Sequence, residues 1–124
     1  MTIVLIALGG AAGAVTRYLV DGAVLDRVGG AFPLGILVVN MSGAFVLGLL
    51  SALIVDRGVL PADLRAPLVV GFLGAYTTFS TLMLDGWRLA EDGLPALAAV
   101  DLIGSVVLGI VAVGGGLWLG RSLG

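Results

Sequence analysis

A cluster of hydroxyl side chains lies inside a long apolar segment, Gly71–Asp85, with the sequence GFLGAYTTFSTLMLD. The hydroxyls flank a single aromatic ring, that of Phe79. Hydroxyl groups donate hydrogen bonds to anions, and an aromatic ring presents electropositive C–H edges. Because lipid penalises polar groups that lack partners, these side chains require an internal use. The members of the cluster are Thr77, Thr78, Ser80 and Thr81.

The same segment predicts a helix that is broken within a membrane. Gly71 and Gly74, followed by Tyr76-Thr77-Thr78, weaken helical structure. Broken helices are tolerated at that depth where the freed carbonyls bind an ion or line a cavity. The carbonyls of Gly74 and Thr77, about one turn apart, are suitable ligands for a small hard cation. The alternative is an unbroken helix in which threonine hydroxyls bond back to the preceding turn.

Polar residues in three other apolar segments are further candidates for an ion pathway. An arginine within a span usually faces a pathway or a partner. Arg17 lies near a helix end, so its side chain can also snorkel to the membrane interface. The amide of Asn40 can donate to an anion or form an interhelical hydrogen bond. Asp101 and Ser105 are four residues apart and share a helix face, but Asp101 also fits an interfacial position.

The composition indicates that the chain is embedded in lipid. Hydrophobic residues make up 60% of its 124 residues and charged residues only 11%. The chain has no cysteine and no histidine, which excludes disulfides, thiolate metal sites and the commonest general base. A net charge of −2 argues against nucleic-acid binding. No nucleophile–base pair is present, so we do not expect an enzyme.

Four segments are apolar enough to cross a bilayer, which takes roughly 20 residues each. We therefore expect a single all-α membrane domain over residues 1–124, with the third helix broken near its middle. The first span is expected to end at Asp21, and Pro33, Pro67 and Pro95 suit helix starts. Small residues four apart, such as Gly9 with Gly13, Ala44 with Gly48 and Gly116 with Gly120, predict close helix contacts and an oligomer. The expected spans are residues 3–20, 33–55, 65–84 and 94–119.

The arginines outside the spans set little preference for one orientation. With four spans, both termini and the second loop lie on one side, which carries three arginines against two on the other. A chain that inserts both ways can form an antiparallel dimer; otherwise a partner subunit fixes a weak preference. The arginines are Arg57, Arg65 and Arg121 on one side and Arg27 and Arg88 on the other.

These features together resemble the Fluc (CrcB) family of fluoride channels. The resemblance extends over all four helices in order and is most specific at Thr-Thr-Phe-Ser-Thr. Its motifs are GGAAGAVTRY (Gly9–Tyr18), PLGILVVNMSGAFVLG (Pro33–Gly48), GFLGAYTTFSTLMLD (Gly71–Asp85) and DLIGSVVLG (Asp101–Gly109).

The resemblance implies an antiparallel, dual-topology homodimer in the bacterial cytoplasmic membrane that exports toxic fluoride passively through two pores. It also implies a structural sodium ion at the dimer axis, bound by backbone carbonyls at the positions of Gly74 and Thr77. Arg17 would supply positive potential at an entrance. The positions assigned to the fluoride pathway are Arg17, Asn40, Phe79, Thr81, Leu82 and Ser105.

Four departures from the family pattern leave an alternative open; two of them are Ala75 in place of the second glycine of a pair and Ile36 in place of a threonine. Leu82 stands where the family has a second phenylalanine, and Asp101 stands where asparagine or tyrosine is common. A carboxylate repels fluoride unless it is protonated or turned away. The alternative is one subunit of a heterodimer with a degraded pore.

Two other functions are weaker. A small four-helix multidrug exporter needs a membrane-embedded glutamate in its first helix, and residues 1–20 contain no acidic residue. A membrane interaction protein without transport activity would need only the glycine packing, and the hydroxyl cluster at a helix break tells against it.

Overall fold

The structure is a computed structural model that describes residues 1–123, and within them it is helical and contains no strand. Four helical segments are long and apolar enough to cross a membrane, which confirms the predicted all-α architecture with four spans. The third span consists of two helices, α3 and α4. The elements are α1 (Thr2–Val28), α2 (Leu34–Ser51, continued by a π-helical turn, Ala52–Asp56), α3 (a π-helical segment, Ala66–Leu73, and one α turn, Gly74–Tyr76), α4 (Phe79–Glu91) and α5 (Pro95–Ser122).

Two helices continue beyond the apolar runs that predicted them. The sequence predicted that the first helix ends at Asp21, but α1 reaches Val28. It stops where Gly29 adopts a φ of 63°, and α4 reaches Glu91 shortly before Gly93, which has a φ of 76°. Bilayer thickness limits the apolar run, whereas a change of backbone conformation ends the helix.

The three predicted helix starts at proline are found. Pro33 immediately precedes α2, Pro67 lies in the first turn of α3, and Pro95 is the first residue of α5. Proline suits the first turn because the N–H that it lacks would have no helical partner there.

The glycine spacing correctly predicted close helix contacts. α1 packs against α3, and α2 packs along α5. A Cβ atom on Gly13 would collide with the backbone carbonyl of Phe72, and one on Gly116 would collide with that of Phe45. Glycine at these positions therefore allows backbones to approach at distances that a side chain would prevent.

The second loop and the C-terminal end of α5 lie on the same side of the bundle, as four spans require. Arg121 forms an ion pair with Asp56 at 2.7 Å. Nη1 of Arg57 donates a hydrogen bond of 3.2 Å to the Gly120 carbonyl. These contacts join the end of α2 to the end of α5.

A candidate ion pathway at the helix break

The third span is broken at Thr77 and Thr78, where the sequence predicted the break. Thr77 has φ −80° and ψ 154°, and Thr78 has φ −148° and ψ 116°, so both residues are extended. The backbone N–H and the hydroxyl of Thr77 both donate to the Leu73 carbonyl, at 3.0 and 2.9 Å. The hydroxyl of Thr77 thus bonds back to the preceding turn, as the alternative interpretation expected, but the helix does not continue.

The Asn40 side chain crosses from α2 and pairs with the extended backbone of Thr78. The Thr78 N–H donates to Oδ1 of Asn40 at 2.8 Å, and Nδ2 of Asn40 donates to the Thr78 carbonyl at 3.1 Å. Of the two uses predicted for this amide, the interhelical hydrogen bond is the one that the structure contains. Because a primary amide has two N–H donors, the second is left for another acceptor.

The hydroxyl cluster caps the start of α4. Oγ1 of Thr78 accepts from the Thr81 N–H at 3.3 Å and donates to Oγ1 of Thr81 at 3.1 Å. The Ser80 hydroxyl lies 3.4 Å from Oγ1 of Thr78. Thr78 is buried, so this capping satisfies polar groups that water does not reach.

Two carbonyls lose their helical partners through these bonds. In a continuous helix the Thr78 N–H would bond to the Gly74 carbonyl, and the Thr81 N–H would bond to the Thr77 carbonyl. The first N–H donates to Asn40 instead, and the second donates to the Thr78 hydroxyl. The carbonyls of Gly74 and Thr77 therefore lack these helical partners, and their use as ligands for a cation stays a prediction.

An open groove of about 590 Å³ runs beside the break, between α2, the broken helix and α5. Its walls are mostly apolar, with a few polar groups near the break. It brings together six of the residues proposed from the sequence: Asn40, Gly74, Thr77, Phe79, Leu82 and Ser105.

Phe79 and Leu82 line the same groove, as their spacing of three residues predicts. They differ in burial: Phe79 is 73% exposed, whereas Leu82 is only 6% exposed. The ring therefore projects from the surface of the chain, and the leucine forms part of the packed wall.

Arg17 and Thr81 do not line the groove. Arg17 is half-buried on α1, which packs against the first half of the third span. Thr81 acts on the break through its bonds to Thr78. Neither residue lines the groove, and their part in an ion pathway stays a prediction.

Two residues of the site were not singled out from the sequence for the roles that they have. Gly43 faces the break so closely that a Cβ atom would collide with Cγ2 of Thr77. Thr78 is the N-cap of α4. Thr78 stands at the start of a helical run, three residues before Thr81, and threonine is a preferred N-cap residue. This pattern could have identified the cap.

The fold and the groove define a small membrane protein with four spans and a polar site at a broken helix. The chain belongs to the CrcB family: residues 4–117 match the family described as CrcB-like protein, Camphor Resistance (CrcB). This confirms the family that the sequence motifs resemble.

Several curated relatives carry the name Fluoride-specific ion channel FluC. The one from Methylococcus capsulatus is 48% identical over 95% of this chain, which spans only 52% of that relative. The one from Magnetococcus marinus is 45% identical over 99% of this chain and 100% of its own length. The one from Maridesulfovibrio salexigens is 42% identical over 95% of this chain and 94% of its own length.

Proposed function

We propose that this chain forms a fluoride-selective ion channel, which lets fluoride leave the bacterial cytoplasm passively across the cytoplasmic membrane and so lowers its toxicity. The observation that carries the proposal is the groove that unites Asn40, Phe79 and Ser105 beside a broken membrane helix. The names of the relatives support fluoride as the ion.

The chemistry of the groove suits a small and strongly hydrated anion. Such an ion must exchange its water for other hydrogen-bond donors. The second N–H of Asn40 is available, because only one is used by Thr78. The Ser105 hydroxyl is buried and has no partner among residues 1–123. The exposed ring of Phe79 offers C–H edges to the same space.

The exposure of Phe79 supports a dimer as the working unit. A pathway needs walls on all sides, and the groove of one protomer is open. A second copy in antiparallel orientation closes the groove and covers the ring, and the near balance of arginines allows that orientation. A paralogous subunit is the alternative partner.

Sodium at the dimer axis is the structural ion that we propose with this assembly. The carbonyls of Gly74 and Thr77 fit it, because both have lost their helical N–H partners and both residues line the open groove. Two protomers would contribute four such oxygens. The ion would supply positive charge between the subunits.

Three residues of the proposed pathway act less directly. Leu82 forms part of the groove wall. Thr81 is hydrogen-bonded to Thr78 and so stabilises the break. Arg17 lies outside the groove, and we assign it a longer-range role in raising the potential for an anion at an entrance.

Efflux from liposomes that contain only this purified chain tests the function. We expect the vesicles to release fluoride and to retain chloride, while protein-free vesicles retain both. Equal release of the two anions would refute selectivity. A folded chain that releases neither would refute a self-sufficient homodimer, and recovery of flux on adding a paralogous subunit would identify the heterodimer.

A further inference from the structure

Tyr76 is a buried residue that has no part in the proposed pathway. It is the last residue of α3 before the break, its side chain is 8% exposed, and it does not line the groove. Its ring stacks on that of Phe72, with the ring centroids 5.8 Å apart, and packs in a core cluster with Val39 and Leu73. Such apolar packing would suit phenylalanine equally well, so the buried hydroxyl needs a partner of its own.

The hydroxyl of Tyr76 donates a hydrogen bond to α2. Its oxygen lies 2.9 Å from Oγ of Ser42, and the Ser42 hydroxyl donates to the Val39 carbonyl at 3.1 Å. A serine hydroxyl has only one hydrogen. Because that hydrogen is used at Val39, Ser42 must accept from Tyr76. The two bonds form a chain from Tyr76 through Ser42 to the backbone of α2.

Gly43 allows the ring of Tyr76 to pack directly on α2. A Cβ atom at position 43 would stand only 3.2 Å from Cδ1 of Tyr76, and it would collide with Cγ2 of Thr77. The chain just before the break is therefore held on α2 by close packing at the ring and by a hydrogen bond at the end of the side chain.

The Asn40 amide holds the chain on the other side of Thr77. The Thr78 N–H donates to Oδ1 of Asn40 at 2.8 Å. This N–H and the Thr77 carbonyl belong to one trans peptide group, in which they point in opposite directions. The bond to Asn40 therefore directs the Thr77 carbonyl away from the amide. Tyr76 and Thr78 are thus both attached to α2, and Thr77 lies between them.

We propose that Tyr76, acting through Ser42, is a positioning residue for the Thr77 carbonyl and sets how tightly the proposed dimer binds sodium. The proposal rests on the sodium site that belongs to the proposed function. Residues behind a ligand improve metal binding when they fix the orientation of that ligand. Asn40 alone sets the direction of the Thr77 carbonyl. The attachment of Tyr76 also fixes its position along the groove.

Tyr76→Phe tests the proposal, because it removes the hydroxyl and keeps the stacked ring. The stability of the dimer in detergent is measured over a series of sodium concentrations, with a large organic cation keeping the total salt constant. Stability rises with sodium only once the concentration exceeds the dissociation constant. We expect this rise to begin at several-fold higher sodium in Tyr76→Phe than in the parent. Tyr18→Phe removes a hydroxyl from a residue that is 79% exposed, and it should follow the parent.

Ser42→Ala tests whether the effect passes through Ser42. Loss of this acceptor should move the onset of the sodium response in the same direction as Tyr76→Phe does. The double variant should show no larger shift than Tyr76→Phe alone, because either change breaks the same chain of hydrogen bonds. Shifts that add in the double variant would show that the two side chains act independently, and would overturn the route through Ser42.

Two results would overturn the role of Tyr76. A Tyr76→Phe dimer that is less stable at every sodium concentration, with the onset unchanged, would show that the hydroxyl serves helix packing alone. A parent dimer that does not respond to sodium would remove the ion and, with it, this role.

Fluoride efflux from vesicles that contain the parent separates these results from the proposed function. A parent that releases fluoride but does not respond to sodium keeps the channel and loses the sodium site. A parent that responds to sodium, with a later onset in Tyr76→Phe, but releases no fluoride keeps the positioning role and loses the channel.

Discussion

The amide of Asn40 forms two hydrogen bonds with one residue across the bundle, accepting from the N–H of Thr78 at 2.8 Å and donating to its carbonyl at 3.1 Å. The side chain thereby supplies to the extended Thr78 the backbone hydrogen bonds that neighbouring turns supply inside a helix. Because it takes the N–H of Thr78, it also leaves the Gly74 carbonyl free. One side chain thus stabilises the break and helps to expose a candidate ligand.

Asn40→Ala should destabilise the protein and reduce fluoride flux. The change leaves the N–H and the carbonyl of Thr78 without these partners, at a cost of about 1–3 kcal/mol for each buried group. Denaturant unfolding in detergent, followed by loss of helical signal, measures the stability. Ser122→Ala, at the exposed end of α5, is the control and should unfold like the parent. A stable Asn40→Ala protein with normal flux would contradict this account of the break.

Phe79→Leu should lower fluoride flux sharply while the protein stays folded. The ring is 73% exposed in the protomer, so its removal costs little core packing but deletes the aromatic edges of the groove. Trp87→Leu is a matched control, because Trp87 is 68% exposed on the same helix but lies outside the groove. Flux is compared per folded protein. Equal losses in both variants would remove the specific role assigned to Phe79.

Leu82→Phe should raise fluoride flux and reduce stability. A ring at this position would place a second aromatic edge one turn from Phe79. Leu82 is only 6% exposed, so the larger side chain should also overpack the wall, at a cost of about 1–3 kcal/mol. Flux per folded dimer and the unfolding midpoint separate the two effects. A destabilised variant with unchanged or lower flux would show that position 82 acts through packing alone.

Gly43→Ala should disturb the break and weaken the response of the proposed dimer to sodium. The new methyl group would collide with Cγ2 of Thr77, whose carbonyl is a proposed ligand. Gly104→Ala is the control, because nothing lies within 4 Å of the added atom. Thr77→Ser should behave like the parent, since it keeps the hydroxyl that bonds to Leu73. Dimer stability is measured in sodium and in a large organic cation.

The parent dimer should be more stable in sodium, and this difference should be lost in Gly43→Ala only. A parent dimer that is equally stable in both salts would argue against sodium at the carbonyls of Gly74 and Thr77.

The sequence predicted those features of the site that depend on local chemistry. Gly74 and the pair Thr77-Thr78 weaken a helix wherever they occur, so the break could be located without any tertiary contact. The partner of Thr78 could not, because Asn40 lies 38 residues away and its amide had two plausible uses. Whether the amide reaches Thr78 depends on how α2 packs against the break.

Pathway membership was harder to predict than the fold. Arg17 has the residue type expected at an anion entrance, but its position on α1 keeps it out of the groove. The charge of this side chain and its depth in the membrane could be predicted from the sequence. Whether it faces the groove depends on how the helices pack. Gly13 and Gly116 were easier to predict, because small residues spaced along a membrane helix indicate a close helix contact.

The most direct test of the central claim is the reversal potential of the parent chain in a planar bilayer, with mostly fluoride on one side and mostly chloride, with a little fluoride, on the other. We predict a potential close to that of a membrane permeable to fluoride alone, and a strongly reduced current in Phe79→Leu. A reversal potential near zero, or a current through Phe79→Leu equal to that of the parent, would contradict a fluoride-selective pathway along the groove at the helix break.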